Sequence, residues 1–343
     1  MRVGDVCTLV FGQSPSSDSY NADGDGLPFY QGNADFGKEH PKAKVWCNAP
    51  KKTARAGDIL LSVRAPIGAV NTAEEVCCIG RGVAAVRPNP SKVNAVYLKQ
   101  QLLARRALLE SKGTGSTFKA VGKKVLTEFP VILYSLSEQE ALARKLQTIQ
   151  DNLRVADQKL FRLDLLVKSR FVEMFGDPAS NPKRFPAKPG SELFRLGNGK
   201  TKPVSQRFNN GVPAYGGNGI TWYTDEAMTS GPTIVLGRVG RHCGNARLVI
   251  EPCWVTDNAM YIKNFYDSSL DFIYLINLMS IVKFNRYADE GDLWKITQRP
   301  FMEFEFPLPP LALQQKFSAF VQRVDKLRFV VIEFHECRCS PID

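Results

Sequence analysis

Three stretches of this chain hold residue types and spacings from which catalysis could be built. LGNGKTKP (196–203) carries the Gly-Lys-Thr of a phosphate-cradling loop. Such a loop reads G-x-x-x-x-G-K-[ST]; its first glycine is replaced by Phe194, and Pro203 interrupts the helix that should follow. ADQK (156–159) sets a carboxylate near a lysine, but a metal-dependent nuclease needs clustered carboxylates. HECRC (335–339) offers His335, Cys337 and Cys339 at i, i+2, i+4, which is not a structural zinc spacing. The three histidines, His40, His242 and His335, have no nucleophile or acid partner at a recognisable spacing. No methyl-donor glycine pattern sits at a strand end, and no Asn-Pro-Pro-aromatic motif could hold a base for methylation. The residues predict a binder, with no catalytic site and no metal.

Binding chemistry is better supplied. The formal charge is +11, and residues 92–125 hold eight cations (Lys92, Lys99, Arg105, Arg106, Lys112, Lys119, Lys123, Lys124) against one acid, Glu110. A patch of this kind suits a polyanion, because each neutralised phosphate releases counterions. A solvated basic helix face is the plainer alternative.

The elements that must position these groups come in pairs. GLPFYQGN (26–33) and GVPAYGGN (211–218) agree at five of eight positions. AGDILLSVRAPIGAVN (56–71) is echoed by GPTIVLGRVGRHCGNA (231–246), each placing a short apolar strand before an arginine, Arg64 or Arg238. STFKAVGKKVLTEFP (116–130) parallels DLWKITQRPFMEFEFP (292–307), led by Phe118–Lys119 and Trp294–Lys295. The order is constant and the offset far too long for a solenoid, so a domain is duplicated. Phe118 and Trp294 are expected to be core anchors. Runs such as DILLSV and TIVLG alternate with helical stretches, which predicts mixed α/β (α+β) domains.

A heptad helix trails each copy. Leu142, Leu146, Ile149, Leu153, Ala156, Leu160, Leu163 and Val167 alternate four and three, with Ser137 and Glu140 as a capping box and Gly176 and Pro178 as the stop. Phe317, Phe320, Val324, Leu327, Val331 and Phe334 do the same after the second copy. The two helices are expected to pair as an antiparallel coiled coil. The boundaries read 1–135 for the first domain, 136–176 for the central helix, 177–310 for the second domain and 311–343 for the second helix.

At 343 residues, 44% hydrophobic and 23% charged, the composition is that of a soluble globular protein of two domains. No apolar run is long enough to span a membrane, and the first residues do not read as a secretory signal. The eight cysteines are scattered without a C-x-x-C pair and read as reduced cytosolic thiols.

With the paired domains, the heptad helices, GDILLSVR, FVEMFGDP and FPLPPLALQQ (306–315) in view, the chain resembles the DNA-specificity subunits of type I restriction–modification systems over nearly its whole length. The resemblance implies two target-recognition domains, each reading half of a bipartite target in double-stranded DNA, on a helix pair that fixes the distance between half-sites. It implies a non-catalytic subunit that docks two adenine-specific methyltransferase subunits and two ATP-dependent restriction subunits. S-adenosylmethionine, ATP and magnesium then belong to those partners, and the setting is the cytoplasm of a bacterium or archaeon, on the nucleoid through DNA.

The candidate DNA-contacting residues follow the paired landmarks. Gln31, Asn33 and Asn218 lie in the repeated loops, where asparagine can pair with adenine or simply hold a turn. Arg64, Arg238 and Arg241 are guanine or phosphate readers. Arg105, Arg106, Lys112, Lys119, Lys123, Lys124, Lys295 and Arg299 complete the surface. Gln31 against Gly216 and Phe29 against Ala214 predict an asymmetric target. The second heptad stretch is shorter than the first and ends in CRCSPID, which reads as a shortened helix or a silent cassette. The rival readings are a stand-alone DNA-modifying enzyme and a coiled-coil RNA adaptor.

Overall fold

The structure of the chain, a computed structural model, describes residues 1–115, 119–267, 269–289, 291 and 293–339, the side chains of 333–339 excepted. Phe118, and the side chains of Phe334, His335, Cys337 and Cys339, lie outside the described residues. Two compact units divide the chain, Met1–Asn152 and Leu153–Asp343.

Unit 1 holds α1 (Val3–Val6), β1 (Cys7–Phe11), β2 (Tyr20–Asn21), β3 (Leu27–Tyr30), β4 (Trp46–Cys47), β5 (Thr53–Ala54), β6 (Ile59–Ser62), β7 (Val70–Thr72), β8 (Cys77–Ile79), β9 (Val83–Pro88), α2 (Ala95–Ala104), α3 (Arg106–Ser111) and α4 (Lys123–Thr127). One antiparallel sheet is ordered β1-β9-β6-β7; a second, β2-β4-β3-β8-β5, pairs β3 with β8 in parallel. Successive strand side chains point to opposite faces. The fully buried ILLS of β6 therefore serves two cores: Ile59 and Leu61 pack with Leu98, Leu102 and Leu126 of the helices, and Leu60 packs with Tyr30 and Ile79 of the second sheet. A strand covered on both faces needs such an unbroken run.

The long α5 (Leu136–Phe175) begins in unit 1. Unit 2 then holds β10 (Ala187–Pro189), α6 (Gly190–Leu193), β11 (Phe194–Asn198), β12 (Val212–Gly216), β13 (Gly219–Thr224), β14 (Thr233–Gly237), β15 (Ala246–Val249), β16 (Trp254–Val255), β17 (Ala259–Phe265), α7 (Phe272–Val282), α8 (Arg299–Glu303), β18 (Glu305–Pro307) and α9 (Leu311–Cys339). Its sheet β11-β17-β14-β15 repeats β1-β9-β6-β7 strand for strand, and the parallel β12–β16 pair repeats β3–β8. The correspondence extends to single hydrogen bonds. Gly12 donates to the Val83 carbonyl and Gln13 to that of Ile79; Gly199 donates to Ala259 and Lys200 to Val255. The α/β character and the duplication expected from the sequence are both present.

The opening glycine of each repeated loop is demanded by the backbone. Gly26 has φ +90° and Gly211 φ +113°, conformations that side chains disfavour. A Cβ at Gly26 would lie 2.2 Å from the Cys47 carbonyl oxygen. Gly26→Ala is expected to destabilise unit 1 by about 2 kcal/mol or more, read from chemical unfolding.

Each unit closes on itself. Val3 donates to the Phe129 carbonyl (2.9 Å) and Val131 to that of Met1 (2.8 Å); Gly190 donates to Phe304 (3.1 Å) and Leu308 to Pro186 (2.7 Å). The first residues of each copy of the repeat thus lie against its last residues before the helix that follows.

The joint between unit and helix is also built twice. Gln139 in the first turn of α5 and Gln314 in that of α9 are each 1% exposed. Gln139 Oε1 accepts from the N–H of Asn94, the N-cap of α2, and its Nε2 donates to the carbonyls of Lys92 and Tyr134. Gln314 Oε1 accepts from Asp271, the N-cap of α7, and its Nε2 donates to Ser269 and Pro309. Tyr97 and Tyr274 reinforce the joints by donating to the carbonyls of Ile132 and Pro307.

α5 is capped two residues earlier than the Ser137/Glu140 box expected. Ser135 and Glu138 satisfy each other's backbone N–H groups (2.9 and 3.4 Å). Both pairs fit S-x-x-E, and the entering chain selects the first. At its other end Gly176, φ +78°, ends the helix, and Lys183 donates to the Glu173 and Met174 carbonyls.

Within unit 2, α9 runs antiparallel to α5. Phe317 meets Phe171 and Phe175, Phe320 lies under Arg170, and Arg328 bonds Asp164 at 2.5 Å. The expected second seam needs correction. Phe317, Val321 and Val324 are buried and Arg328 takes the next inward place, whereas Leu327 is 56% exposed. The stripe 317-321-324-328 also alternates four and three, so periodicity cannot separate it from 317-320-324-327; Asp164 does, by pairing with Arg328. The first seam is not uniform either. Leu142 packs on the core of unit 1, Leu163 and Val167 on that of unit 2, Leu146, Leu153 and Leu160 are half-buried, and Ile149 is 40% exposed.

Candidate nucleic-acid interface

In unit 1 the edge where β3, β6 and β9 converge opens a cleft of about 750 Å³ lined by Gln31, Asn33, Arg64 and Arg81, among others. Tyr30, buried at the end of β3 with its hydroxyl pushed up to about 12 by burial, anchors the loop. The chain then leaves the strand. Gly82 donates to the Gln31 carbonyl, Asp35 accepts from the Gln31 N–H at 2.7 Å, and Asn33 begins a single 3₁₀ turn. Gly32 between them is extended (φ 179°), and a Cβ there would meet nothing within 4 Å. The fold does not require glycine at this position; its bareness exposes backbone to the cleft.

The second loop shares the strand and diverges after it. Tyr215 is buried as Tyr30 is, and its hydroxyl is pushed up to about 12 by burial and by donation to Glu251 at 2.6 Å. Gly217 and Asn218 then form the two-residue turn of the β12–β13 hairpin, placing Asn218 at an exposed tip. A cleft of about 500 Å³ lies beside it, lined by Asn218, Asn245, Arg247, Lys283 and Asn285 among others. The same Tyr-x-Gly-Asn letters thus build a 3₁₀ turn in one unit and a hairpin in the other.

The paired arginines are not equivalent. Val63 N–H donates to the Gly82 carbonyl, and Val121 N–H to that of Val63; in unit 2, Arg238 donates to Asn258 and Ile296 to Arg238. Arg238 therefore stands where Val63 does, and Val239 where Arg64 does. The slip recurs opposite them, since Arg64 bridges Ala120 and Val239 bridges Lys295. Arg64, Arg238 and Arg241 are all exposed. Trp294 is no core anchor: it is 41% exposed, and the buried neighbours of these bridges are Val121 and Ile296.

The basic run does not act as one patch. Lys92 donates to the Asp5 carbonyl, Lys99 to Thr72 Oγ1, Arg105 to the Pro130 carbonyl and Arg106 to that of Ile67. Burial lowers the pKa of Lys99, opposed by Glu39. Lys112, Lys119, Lys123 and Lys124 remain exposed, the last two in the first turn of α4. Lys295 is exposed beside its bridge, and Arg299 pairs with Glu303 at 2.8 Å on open surface, an interaction worth little.

The phosphate-loop letters form β11 and the turn after it. Lys200 accepts from Trp254 Nε1 through its carbonyl, and Lys202 bonds Glu226 at 2.9 Å and lies 4.5 Å from the Trp254 ring centre. Among the described residues, no group of three or more His, Cys, Asp or Glu could hold a metal ion, and no helix is long and apolar enough to cross a membrane. Sequence reasoning missed Arg81, Arg247, Lys283 and Asn285. Arg81 alone carried a signal, as the arginine of IGRGV.

Two copies of one scaffold, each with a polar cleft beside its Tyr-x-Gly-Asn loop and each mounted on its own helix, define a duplicated recognition protein. The chain belongs to the family of type I restriction modification DNA specificity domains, whose model matches residues 1–162 and 188–332. It is 42% identical over 147 residues to a protein of Methanocaldococcus jannaschii assigned as the MjaX type I restriction enzyme specificity subunit, covering 43% of this chain and 35% of that one. It is 23% identical over 128 residues to the EcoprrI type I restriction enzyme specificity subunit of Escherichia coli, covering 37% and 31%. The matched stretches thus span about a third of those relatives. The crystal structure of a type I restriction–modification S subunit from M. genitalium matches 98% of this chain and 91% of its own at 16% identity, with a TM-score of 0.62, a likeness of fold.

Proposed function

We propose that each unit reads one half of a bipartite, asymmetric target in double-stranded DNA, and that the helices carry the two readers at a set separation. The carrying observation is one scaffold built twice, with a polar cleft beside each Tyr-x-Gly-Asn loop lined by different side chains. Base contacts come from Gln31, Asn33 and Arg64 in one unit and from Asn218, Arg238 and Arg241 in the other. Lys112, Lys119, Lys123, Lys124 and Lys295 supply phosphate contacts, which position the protein without reading sequence. Arg105, Arg106 and Arg299 contribute less, since their guanidinium groups already bond within the chain.

On this reading the chain catalyses nothing. Two methyltransferase subunits dock on it and two restriction subunits join them, bringing S-adenosylmethionine, ATP and magnesium. The setting is the cytoplasm, on the nucleoid. The test is co-expression with the methyltransferase encoded beside it, followed by mapping of methylated adenines across the host genome. A bipartite asymmetric motif with a fixed unread spacer is expected. Methylation by the purified chain alone would identify an enzyme instead.

Gly32 gives a sharper check. Gly32→Leu fits the extended backbone and open space there, so stability should change by no more than about 0.5 kcal/mol. Affinity for the target should fall about tenfold or more, because the leucine occupies the space through which DNA approaches the backbone. Unchanged affinity would place the interface elsewhere.

A further inference from the structure

The frames of the two units coincide at the turn that joins the parallel-paired strand to the next strand of the main sheet. Ile79 and Val255 end β8 and β16 against Tyr30 and Tyr215, and Val83 and Ala259 begin β9 and β17. Three residues lie between in each case, Gly80-Arg81-Gly82 and Thr256-Asp257-Asn258. Arg81 and Asp257 therefore occupy the same place in the scaffold. Both are exposed, and neither side chain engages another described group. Along the repeated loop Tyr30/Tyr215, Gly32/Gly217 and Asn33/Asn218 keep the same residue, while Gln31/Gly216 and Arg64/Val239 change without inverting a charge. At the turn the charge inverts.

The turn is held firmly. In unit 1 a Cβ at Gly82 would lie 2.2 Å from the Gln31 carbonyl oxygen, and one at Gly80 would lie 3.2 Å from Gln31 Cα, so the arginine springs from a loop packed on the cleft wall. In unit 2, Thr256 is buried and the Asn258 carbonyl accepts from Arg238. Gly217, one residue before Asn218, lies against Asn258.

We infer that this turn position determines specificity in both units, with Arg81 reading a guanine in one half-site and Asp257 reading a cytosine in the other. The inference rests on the reading of both units as DNA readers. An arginine at such a place offers two parallel donors to guanine O6 and N7. It could also serve a phosphate, and the aspartate decides between these roles. A carboxylate cannot serve a phosphate, and next to the DNA backbone it is repelled. Against bases it is favourable where it accepts from an amino group, and cytosine N4 in the major groove is the usual partner of an acidic side chain, since the amide residues suit adenine's donor–acceptor pair better. Where this shared scaffold position meets DNA, Asp257 therefore fits a place that faces bases and not one that faces phosphates.

The experiment maps methylated adenines in cells co-expressing the neighbouring methyltransferase with wild-type chain, Arg81→Lys, Arg81→Ala or Asp257→Asn. Both side chains are exposed, so thermal unfolding of the variants should match the wild type. Arg81→Lys keeps the charge and loses the fork. It should relax discrimination at one G·C pair of one half-site by about 5- to 150-fold and leave the other half-site intact. Asp257→Asn should relax one pair in the opposite half-site. A wild-type motif retained by Arg81→Lys, with Arg81→Ala weakening methylation at all sites alike, would make Arg81 a phosphate contact and overturn the inference. So would an unchanged motif in Asp257→Asn. A wild-type chain that yields no bipartite motif overturns the DNA-reading proposal and this inference with it.

Discussion

Gln314→Leu is expected to destabilise unit 2 by about 3–6 kcal/mol, seen as an earlier unfolding transition in denaturant. Leucine fills nearly the same volume, so packing is not what fails. Three partners lose their bonds: the Asp271 N–H at 2.9 Å, the Ser269 carbonyl at 3.1 Å and the Pro309 carbonyl at 2.8 Å. Each buried group left unpaired costs about 1–3 kcal/mol. The loss also reaches α7, because the Asp271 carboxylate caps it through Ile273 and Tyr274 and accepts from Ser318 of α9. Gln314→Glu separates hydrogen bonding from shape: a carboxylate can still accept from Asp271 but gives nothing to the two carbonyls. Gln139→Leu should cost unit 1 a comparable amount. Leucine variants as stable as the wild type would show that the joints hold without their glutamines.

Phe171→Ala is expected to cost about 3–5 kcal/mol, the range for removing a large aromatic side chain from a packed core. Phe171 is fully buried on α5. Its ring stacks on Tyr274 at 5.5 Å, meets Phe317 edge-on at 5.4 Å and lies 4.9 Å from Phe175. It therefore ties α5, α7 and α9 together, and its loss should also expose α9 to proteolysis. Phe161→Ala on the same helix is the control, since Phe161 is largely exposed and should change stability by about 0.5 kcal/mol or less. Equal effects from the two substitutions would refute the aromatic cluster as the tie.

What the sequence disclosed and what it hid follow different physics. Duplication was legible because backbone geometry repeats its demands: a positive-φ glycine at 26 and 211, an apolar strand at 59–62 and 233–237, a buried tyrosine at 30 and 215. Those demands come from local conformation and two-faced burial. The turn after β6 and β14 was misread because the second copy carries its arginine one residue earlier, at the place of Val63, while the strands themselves match without a gap. The eye aligns arginines, whereas the fold aligns hydrogen bonds. The second heptad was off by part of a turn because two adjacent stripes share one periodicity, and only Arg328 meeting Asp164 distinguishes them. Charge was the least legible feature. Whether Lys99 serves solvent or Thr72 depends on which strand lies beside α2, and composition carries no trace of that.

Each copy of the repeat begins and ends at one spot, since residues 1–3 lie against 129–131 and residues 186–190 against 304–308. Such a module behaves like a socketed tool. Its chain path passes in and out through one short, hydrogen-bonded collar. The loops that line the clefts sit on the strand ends and can be rewritten without disturbing that collar. A module with entirely new side chains could be seated there by remaking two neighbouring backbone junctions, leaving the helix behind it unchanged.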